Sequence, residues 1–330
     1  MTPDRDARGR RTRTLRRSGW LLAAVLASGG CATRPPTQID PPPAAVELVD
    51  TPFFAQTAHH CGPAALATVL VAQGLDTTPE SLAPWVFVPG REGSLQAEML
   101  AAARRFDRVP VRLGSDPQAL IGALERGHPV LVLQNLGLRR WPRWHYAVVI
   151  GYDPRERAFI LRSGTTRREV LAERRFVASW ERADRWAVVL AEPDAIPTAT
   201  TVQDWLAGAA PFESLGRLAV AEQAYRAAIT RWPQSALPWQ AISNVDHALG
   251  RTAAAERALR RAVELDDQAV VARNNLANLL LARGCVEAAQ RQVDTLRQVP
   301  PRFATALEQT REKIRLAAAS GAADRAADCG

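Results

Sequence analysis

The second half of the chain repeats itself with a fixed period. Small residues recur every 34 residues at two positions of the repeat. The first position is occupied by Gly216, Gly250 and Gly284, and the second by Ala221, Ala255 and Ala289. Such a period is typical of helix pairs that stack on one another, because a single pair cannot bury its apolar face. Small residues let antiparallel helices touch, and glycine permits the turn between them. This half is therefore predicted to be an all-α solenoid.

The period of 34 residues is that of tetratricopeptide repeats. Three repeats are predicted over residues 202–303, with a capping helix after them, so that the domain spans residues 202–320. Large residues fill the expected apolar positions, and they are Trp205, Trp239, Tyr225 and Leu259. The third repeat is degenerate, with Arg273 at the position of the tryptophan. Solenoids of this kind bind peptides or proteins, so a protein partner is expected here, and residues 321–330 are predicted to be a disordered tail.

The first thirty residues have the layout of an export signal. In "RRTRTLRRSGWLLAAVLASGGC" an arginine-rich start precedes a short apolar run and small residues. The end resembles a bacterial lipoprotein signal, in which the chain is cut before a cysteine that receives a lipid, here Cys31. Residues 31–45 are rich in proline and predict an extended tether. The expected location is the periplasmic face of the outer membrane, with a soluble periplasmic protein as the alternative.

The net charge gives little support for a nucleic-acid partner. The chain has a formal charge of +8, but residues 1–30 hold seven arginines and two acidic residues. Most of the positive excess therefore belongs to the export signal. The remainder is close to neutral, and no nucleic-acid binding is predicted.

The four cysteines form no recognisable set. Cys31, Cys61, Cys285 and Cys329 show neither a CxxC pair nor the His-Cys spacing of a zinc site. Neither a metal site nor a disulfide framework is indicated, and no cofactor is expected. Cys285 follows the Gly284 turn and is interpreted as a structural or incidental thiol.

Residues 46–195 mix helical and strand patterns. "QAEMLAAARRF" and "DPQALIGALERG" have helical periodicity, whereas "PVLVLQNL", "HYAVVIGYD", "AFILRSG" and "RWAVVLAEP" are apolar runs typical of strands. The turn-rich "DPRER" joins two of these runs into a hairpin. An early helix followed by strands predicts an α+β domain with an antiparallel sheet.

Cys61 stands where a helix is predicted to begin. In "HHCGPAALATVL" it precedes Gly-Pro and a run of alanine and leucine, and proline is tolerated in a first turn. Unpaired N–H groups at a helix start favour a thiolate, so a lowered pKa is predicted for Cys61. His145 opens a strand and could act as its base, and Gln56 could donate to an oxyanion. The alternative is that Cys61 is a small buried apolar residue.

Three stretches together resemble the bacteriocin-processing, papain-like cysteine peptidases. These are "FFAQTAHHCGPAALATVL", "GHPVLVLQNLG" and "HYAVVIGYD", within roughly residues 50–192. The resemblance implies a papain-like fold, with Cys61 as the nucleophile, His145 as the base and Gln56 as the oxyanion donor. No transporter segment accompanies them, so a double-glycine leader as substrate does not follow.

The third catalytic residue departs from that family, which has Asp or Asn on the strand after the histidine. The hairpin at "DPRER" is predicted to put His145 opposite Ser163 to Thr165, because facing residues of an antiparallel pair share a side. Asp153 lies too far along its strand. Ser163 can hold the imidazole tautomer but supplies no charge. Either a Cys-His dyad assisted by Ser163 or a domain without turnover is expected.

Four further side chains flank these residues. His59 and His60 precede Cys61 and are expected at the mouth of the cleft or exposed, and Trp141 and Trp144 could form an aromatic wall beside His145 or pack in the core.

The sequence therefore predicts an exported, membrane-anchored cysteine peptidase that cleaves a peptide bond through a thioester. Its repeats would bind the peptide or protein substrate or a partner protein. Two alternatives remain open. One is a non-catalytic scaffold that binds peptides on a peptidase-like fold, and the other is a cell-wall amidase or acyl-transfer enzyme with the same Cys-His pair.

Overall fold

The structure is a computed structural model that describes residues 44–55, 61–320 and 329. All of the described residues belong to one compact unit. The predicted export signal, Cys31, almost all of the tether, Gln56 and all of the predicted tail except Cys329 lie outside the described residues. Within the described part, no helix combines the length and the apolar character needed to span a membrane.

The first domain is built on an antiparallel sheet. Its strands are β1 (Val46–Glu47), β2 (Phe87–Val88), β3 (Gly93–Ser94), β4 (Val109–Arg112), β5 (Val130–Asn135), β6 (Trp144–Asp153), β7 (Ala158–Ser163), β8 (Thr166–Ala172) and β9 (Ala187–Ala191). Seven of them form one sheet in the order β4-β9-β5-β6-β7-β8, with β1 also paired to β6, while β2 and β3 form a separate pair. The predicted antiparallel sheet is confirmed.

Helices cover both faces of this sheet. They are α1 (Cys61–Ala72), α2 (Pro79–Val86), α3 (Gln96–Arg105), α4 (Pro117–Leu124) and α5 (Glu173–Glu181), with a 3₁₀ turn at Pro89–Arg91. Strand β5 is buried along its whole length because alternate side chains enter two different cores. Leu131 packs with α1, α2 and α3, and Val132 packs with α4 and α5. The uninterrupted apolar run that predicted this strand thus has a structural cause.

The second part of the chain is entirely helical. Its helices are α6 (Val202–Ala209), α7 (Pro211–Ser214), α8 (Leu218–Arg231), α9 (Ala236–Ala248), α10 (Thr252–Leu265), α11 (Val270–Ala282), α12 (Val286–Asp294) and α13 (Pro301–Ala319). Gly216, Gly250 and Gly284 each end a turn between helices with φ of 69°, 71° and 80°, values that favour glycine. Trp205 and Tyr225 are fully buried. The helical solenoid with a 34-residue period is confirmed.

The degenerate third repeat buries an arginine where the first repeat buries a tryptophan. Arg273 donates from Nε to the carbonyl oxygen of Asp267 and from Nη1 to Gln292 Oε1, at 2.6 and 2.8 Å. These bonds give two of the three guanidinium nitrogens a partner, so the position tolerates a charge that would otherwise be costly to bury.

The change of secondary structure near residue 200 is not a break in packing. Helix α6 lies against β4, and the backbone of Gly208 approaches Pro110 so closely that a Cβ atom there would stand 2.6 Å from the Pro110 carbonyl oxygen. Trp205 and Phe212 belong to the same apolar core as Val109 and Val132. The sheet and the first repeats therefore share one core.

The structure contains a disulfide bond that the sequence analysis did not predict. Cys285, at the start of α12, is bonded to Cys329 near the end of the chain, 44 residues away. Cys285 is therefore not an incidental thiol, and at least Cys329 of the predicted tail is fixed to the third repeat. The pairing was missed because cysteines so far apart carry no spacing signal. Cys61 remains a free thiol.

Candidate active site

Cys61 is the first residue of α1, as the sequence predicts. This helix is buried on all sides from Gly62 to Leu70, which explains why its sequence is apolar throughout rather than amphipathic. Burial of the whole helix fixes its first turn against the sheet. Cys61 as a residue is half-buried, and it is a free thiol.

A cavity of about 990 Å³ opens beside this helix start. Cys61 and His145 both line it, although they are 84 residues apart in the sequence. The other walls are the segment 91–97, which contains β3 and the start of α3, and the loop that carries Asp184. Cavities of this size accommodate several amino-acid side chains, so an extended peptide could enter.

His145 and Ser163 are in direct contact. The imidazole Nε2 of His145 lies 2.9 Å from Ser163 Oγ. Strand β6 pairs with β7 so that Val148 faces Arg162, which puts Ser163 on the same side as His145 and diagonally across from it. The contact expected from the hairpin is therefore present. When Nε2 carries the proton and donates to Ser163, Nδ1 is left as an acceptor.

The pKa of Cys61 moves in the direction opposite to the prediction. Burial is the largest influence and raises the pKa of the thiol, while hydrogen bonds from the backbone of Tyr146, Gly62 and Cys61 itself lower it. The favourable N–H groups at the helix start are thus present, but desolvation of the anion outweighs them. The predicted lowering of this pKa is wrong, because the depth of the thiol depends on packing that no local motif encodes.

His145 is shifted toward its neutral form. Burial lowers its pKa, nearby Arg143 lowers it further, and the carboxylate of Glu169 opposes both by raising it. Together with the raised pKa of Cys61, this leaves a neutral thiol and a neutral imidazole at pH 7. Such a pair can react by general-base catalysis, in which the imidazole accepts the thiol proton during attack.

A buried arginine fixes the chain that leads to Cys61. Arg162, next to Ser163 on β7, donates to the carbonyl oxygens of Val49, Thr51 and Arg167 at 2.6 to 3.0 Å. These bonds tie the segment before residue 56 to the strand that holds Ser163. Gln56, His59 and His60 lie outside the described residues, so their predicted positions stay predictions.

The two tryptophans near His145 are not core residues. Trp144 is exposed and lines the cavity, whereas Trp141 is exposed and does not. Of the two predicted wall residues, Trp144 lies beside the cavity and Trp141 does not.

Several residues of the site were not predicted from the sequence. Tyr146 follows His145, and its backbone forms a hydrogen bond with the thiol of Cys61. Glu169 on β8 raises the pKa of His145. Asp184 lines the cavity and has a left-handed backbone with φ of 52°. Only Tyr146 had a usable signal, since it belongs to the same strand motif as His145. Among the described residues, no group of three or more His, Cys, Asp or Glu could hold a metal ion.

Comparison with known proteins gives a family match for this domain. Residues 48–188 match the model of the Peptidase_C39 like family. A search of curated proteins gives no match. A protein described as a C39-like peptidase from Bacillus anthracis is 16% identical with a TM-score of 0.38, over 46% of this chain and 98% of that one.

Two further solved structures resemble one part of the chain each. The peptidase domain of Streptococcus ComA is 20% identical with a TM-score of 0.34, over 42% of this chain and 96% of that one. The TPR2B domain of yeast Sti1 is 18% identical with a TM-score of 0.32, over 35% of this chain and 96% of that one. The family match itself contains both Cys61 and His145. The domain that carries the candidate site therefore has the fold of the Peptidase_C39 like family.

Proposed function

We propose that this protein is an exported, membrane-anchored cysteine peptidase. The observation that carries the proposal is that Cys61 and His145 line one cavity, with the imidazole held by Ser163. The family match of residues 48–188 supports the same activity.

The proposed reaction begins with both groups neutral. His145 accepts the thiol proton through Nδ1 as the Cys61 sulfur attacks the carbonyl carbon of a peptide bond. The N–H of Cys61 and the side chain of Gln56 donate to the oxyanion. The imidazolium then gives its proton to the leaving amine, which leaves a thioester on Cys61. Water, activated by His145, hydrolyses the thioester and restores the thiol.

Export and anchoring rest on different observations. The Cys285–Cys329 disulfide supports export, because such bonds persist in oxidising compartments and are rare in the cytosol. Anchoring through a lipid on Cys31 rests on the sequence of residues 1–45 alone. Incorporation of radiolabelled palmitate into wild type but not into Cys31→Ser would support the anchor. No incorporation into wild type would favour the alternative, a soluble periplasmic enzyme.

The helical repeats are proposed to hold a substrate or a partner protein. An open cavity of about 880 Å³ lies along α13, where apolar Val299 and Leu307 adjoin charged Glu308, Arg311 and Lys313. A mixed apolar and charged surface of this kind suits a peptide segment.

The activity is tested by thiol labelling and by peptide profiling. In residues 39–330 under non-reducing conditions Cys61 is the only cysteine outside the disulfide, so iodoacetamide reports on it alone. We expect His145→Ala to slow labelling near neutral pH, whereas His128→Ala, a partly buried histidine elsewhere, leaves the rate unchanged. Equal rates in both variants would contradict a functional Cys-His pair.

Profiling of periplasmic peptides with wild type and Cys61→Ser identifies the reaction. New peptide termini that depend on Cys61 support the peptidase. Cell-wall fragments or acylated products that depend on Cys61 would replace it with an amidase or acyl-transfer enzyme.

One second function has a specific observation in its favour. The raised pKa of Cys61 and a serine in place of a carboxylate beside His145 also suit a domain that binds peptides without cleaving them. Peptides retained equally by wild type and Cys61→Ser, with no cleavage by either, would favour this scaffold.

A further inference from the structure

The connection between β5 and β6 exposes large apolar side chains at its tip. We call residues 136–143 the tip hairpin. Leu138 and Trp141 are 65% and 70% exposed, and Trp144, at the start of β6, is 54% exposed. Leu136 is also exposed. Apolar side chains of this size, grouped on one loop, are a recognised sign of an interaction surface.

The tip hairpin is held in a defined conformation. Asn135 Oδ1 accepts hydrogen bonds from the N–H groups of Gly137 and Arg143, both at 2.9 Å, and Leu138 and Trp141 exchange two backbone hydrogen bonds. Arg182 donates twice to the carbonyl oxygen of Asn135. The exposed side chains are therefore presented by an ordered turn.

The charge of the tip hairpin has one sign. Arg139, Arg140 and Arg143 lie between its apolar residues, and no acidic residue occurs from 136 to 145. Within the described part of the chain, none of these three guanidinium groups forms a salt bridge, and that of Arg140 lies 5.6 Å from the ring centre of Trp141. Their charge is therefore available to an external anionic partner.

We propose that the tip hairpin docks the protein on a lipid bilayer that contains anionic lipids. Tryptophan and leucine enter the interfacial layer, and the arginines contact lipid phosphates, which is the distribution found at membrane interfaces. Leu138 and Trp141 do not line the cavity that contains Cys61, whereas a peptide partner needs a groove or a free strand edge. The chemistry and the placement of these side chains therefore favour a bilayer over a peptide.

This docking has a consequence for the cavity. Trp144 is continuous with the tip hairpin and also lines the cavity that contains Cys61. A bilayer contact at the tip hairpin brings the cavity mouth close to the membrane surface, so peptides held at that surface become the accessible class of substrate. The contact does not need a lipid on Cys31.

Vesicle binding tests the proposal on residues 39–330, a compact unit that lacks the arginine-rich segment and Cys31. We expect co-sedimentation with vesicles that contain phosphatidylglycerol and much weaker binding to vesicles of phosphatidylcholine alone. High salt should weaken the binding, because surface electrostatics are screened. Absence of binding to phosphatidylglycerol vesicles at low salt would overturn the proposal.

Paired variants assign the binding to the tip hairpin. Leu138→Ser with Trp141→Ser, and separately Arg139→Gln with Arg140→Gln, should each weaken binding by roughly tenfold or more. The matched controls are Leu316→Ser on α13 and Arg174→Gln with Arg175→Gln on α5, all exposed. Controls that weaken binding as much as the hairpin variants would overturn the proposal.

Cleavage of a soluble peptide separates docking from the activity itself. The hairpin variants should retain it at the wild-type rate, which also shows that they fold. Loss of that cleavage with unchanged vesicle binding would mean that the hairpin holds peptides, and the bilayer proposal would be wrong. Failure of the proposed peptidase activity would leave the vesicle measurements unaffected.

Discussion

His145 is held by the hydroxyl group of Ser163, at the place where the sequence resemblance implied an Asp or Asn. Ser163 fixes the ring at 2.9 Å without adding a negative charge to stabilise the imidazolium that forms during attack. An acidic residue that does act on the ring is Glu169, whose charge raises the pKa of His145. Orientation and charge stabilisation thus come from two residues on different strands.

Replacement of Ser163 should separate orientation from charge. We expect Ser163→Ala to lower kcat/KM by up to roughly tenfold, since one neutral hydrogen bond is lost. Ser163→Asp should raise the pKa of His145, because an adjacent carboxylate favours the charged ring. Steady-state kinetics over a range of pH measure both effects. Ser243→Ala, a buried serine of the solenoid, is the control, and an equal loss in that variant would show a general effect on folding.

Removal of the Glu169 charge should move the acidic limb of the pH profile. The base must be neutral to accept a proton, so kcat/KM falls as the pH drops through the pKa of His145. Glu169 raises this pKa, and Glu169→Gln should therefore shift the limb to lower pH. Exposed Glu156→Gln should leave the profile in place. A shift to higher pH would contradict the assigned role.

For single residues, the sequence predicts which side chains form the site better than it predicts their pKa values. Cys61 and His145 are marked by motifs, and Ser163 follows from counting along a hairpin. The direction of the Cys61 pKa was mispredicted, because it depends on how deeply the helix start is buried. Glu169 was missed because its influence on His145 comes through the pairing of β7 and β8.

At the scale of the elements, the contact of α6 with β4 leaves no room for one added carbon atom at Gly208. A Cβ at Gly208 would meet the backbone of Pro110 at 2.6 Å, and backbone cannot rotate away as a side chain can. We expect Gly208→Ala to lower the free energy of unfolding by about 1–3 kcal/mol.

Chemical denaturation measures this effect, and Gly90→Ala is the control. Gly90 has open space around its Cβ direction and no left-handed backbone. Similar losses in the two variants would mean that the close approach of α6 to β4 has no special cost.

The elements that the sequence missed are those with weak apolar patterns. Strand β8 is a mostly exposed edge strand with four consecutive polar residues, Thr166 to Glu169, and charged edges of this kind oppose pairing with other chains. Helix α5 follows it directly and has an arginine-rich exposed face. In contrast, β5, β6, β7 and β9 are buried almost throughout, so their apolar runs predicted them correctly.

For the whole molecule, the Cys285–Cys329 disulfide should add measurable stability. It closes a loop across 44 positions, and Cys329→Ser should lower the free energy of unfolding by roughly 2–4 kcal/mol. Denaturation with and without reductant measures this, and the reductant should not alter the variant. Mass spectrometry of unreduced digests should find the linked peptides, and two free thiols in exported protein would contradict the bond.

The core that joins the sheet to the first repeats could not be predicted from the sequence. The change from strand to helical patterns near residue 200 would look the same if two separate domains met there. Trp205 and Phe212 are buried against Val109 and its neighbours, so separating the chain at this point would expose apolar surface on both pieces. Neither piece is a portable module. Fusion of these repeats to another catalytic domain would require a new apolar surface in place of the one that β4 offers to Trp205 and Phe212.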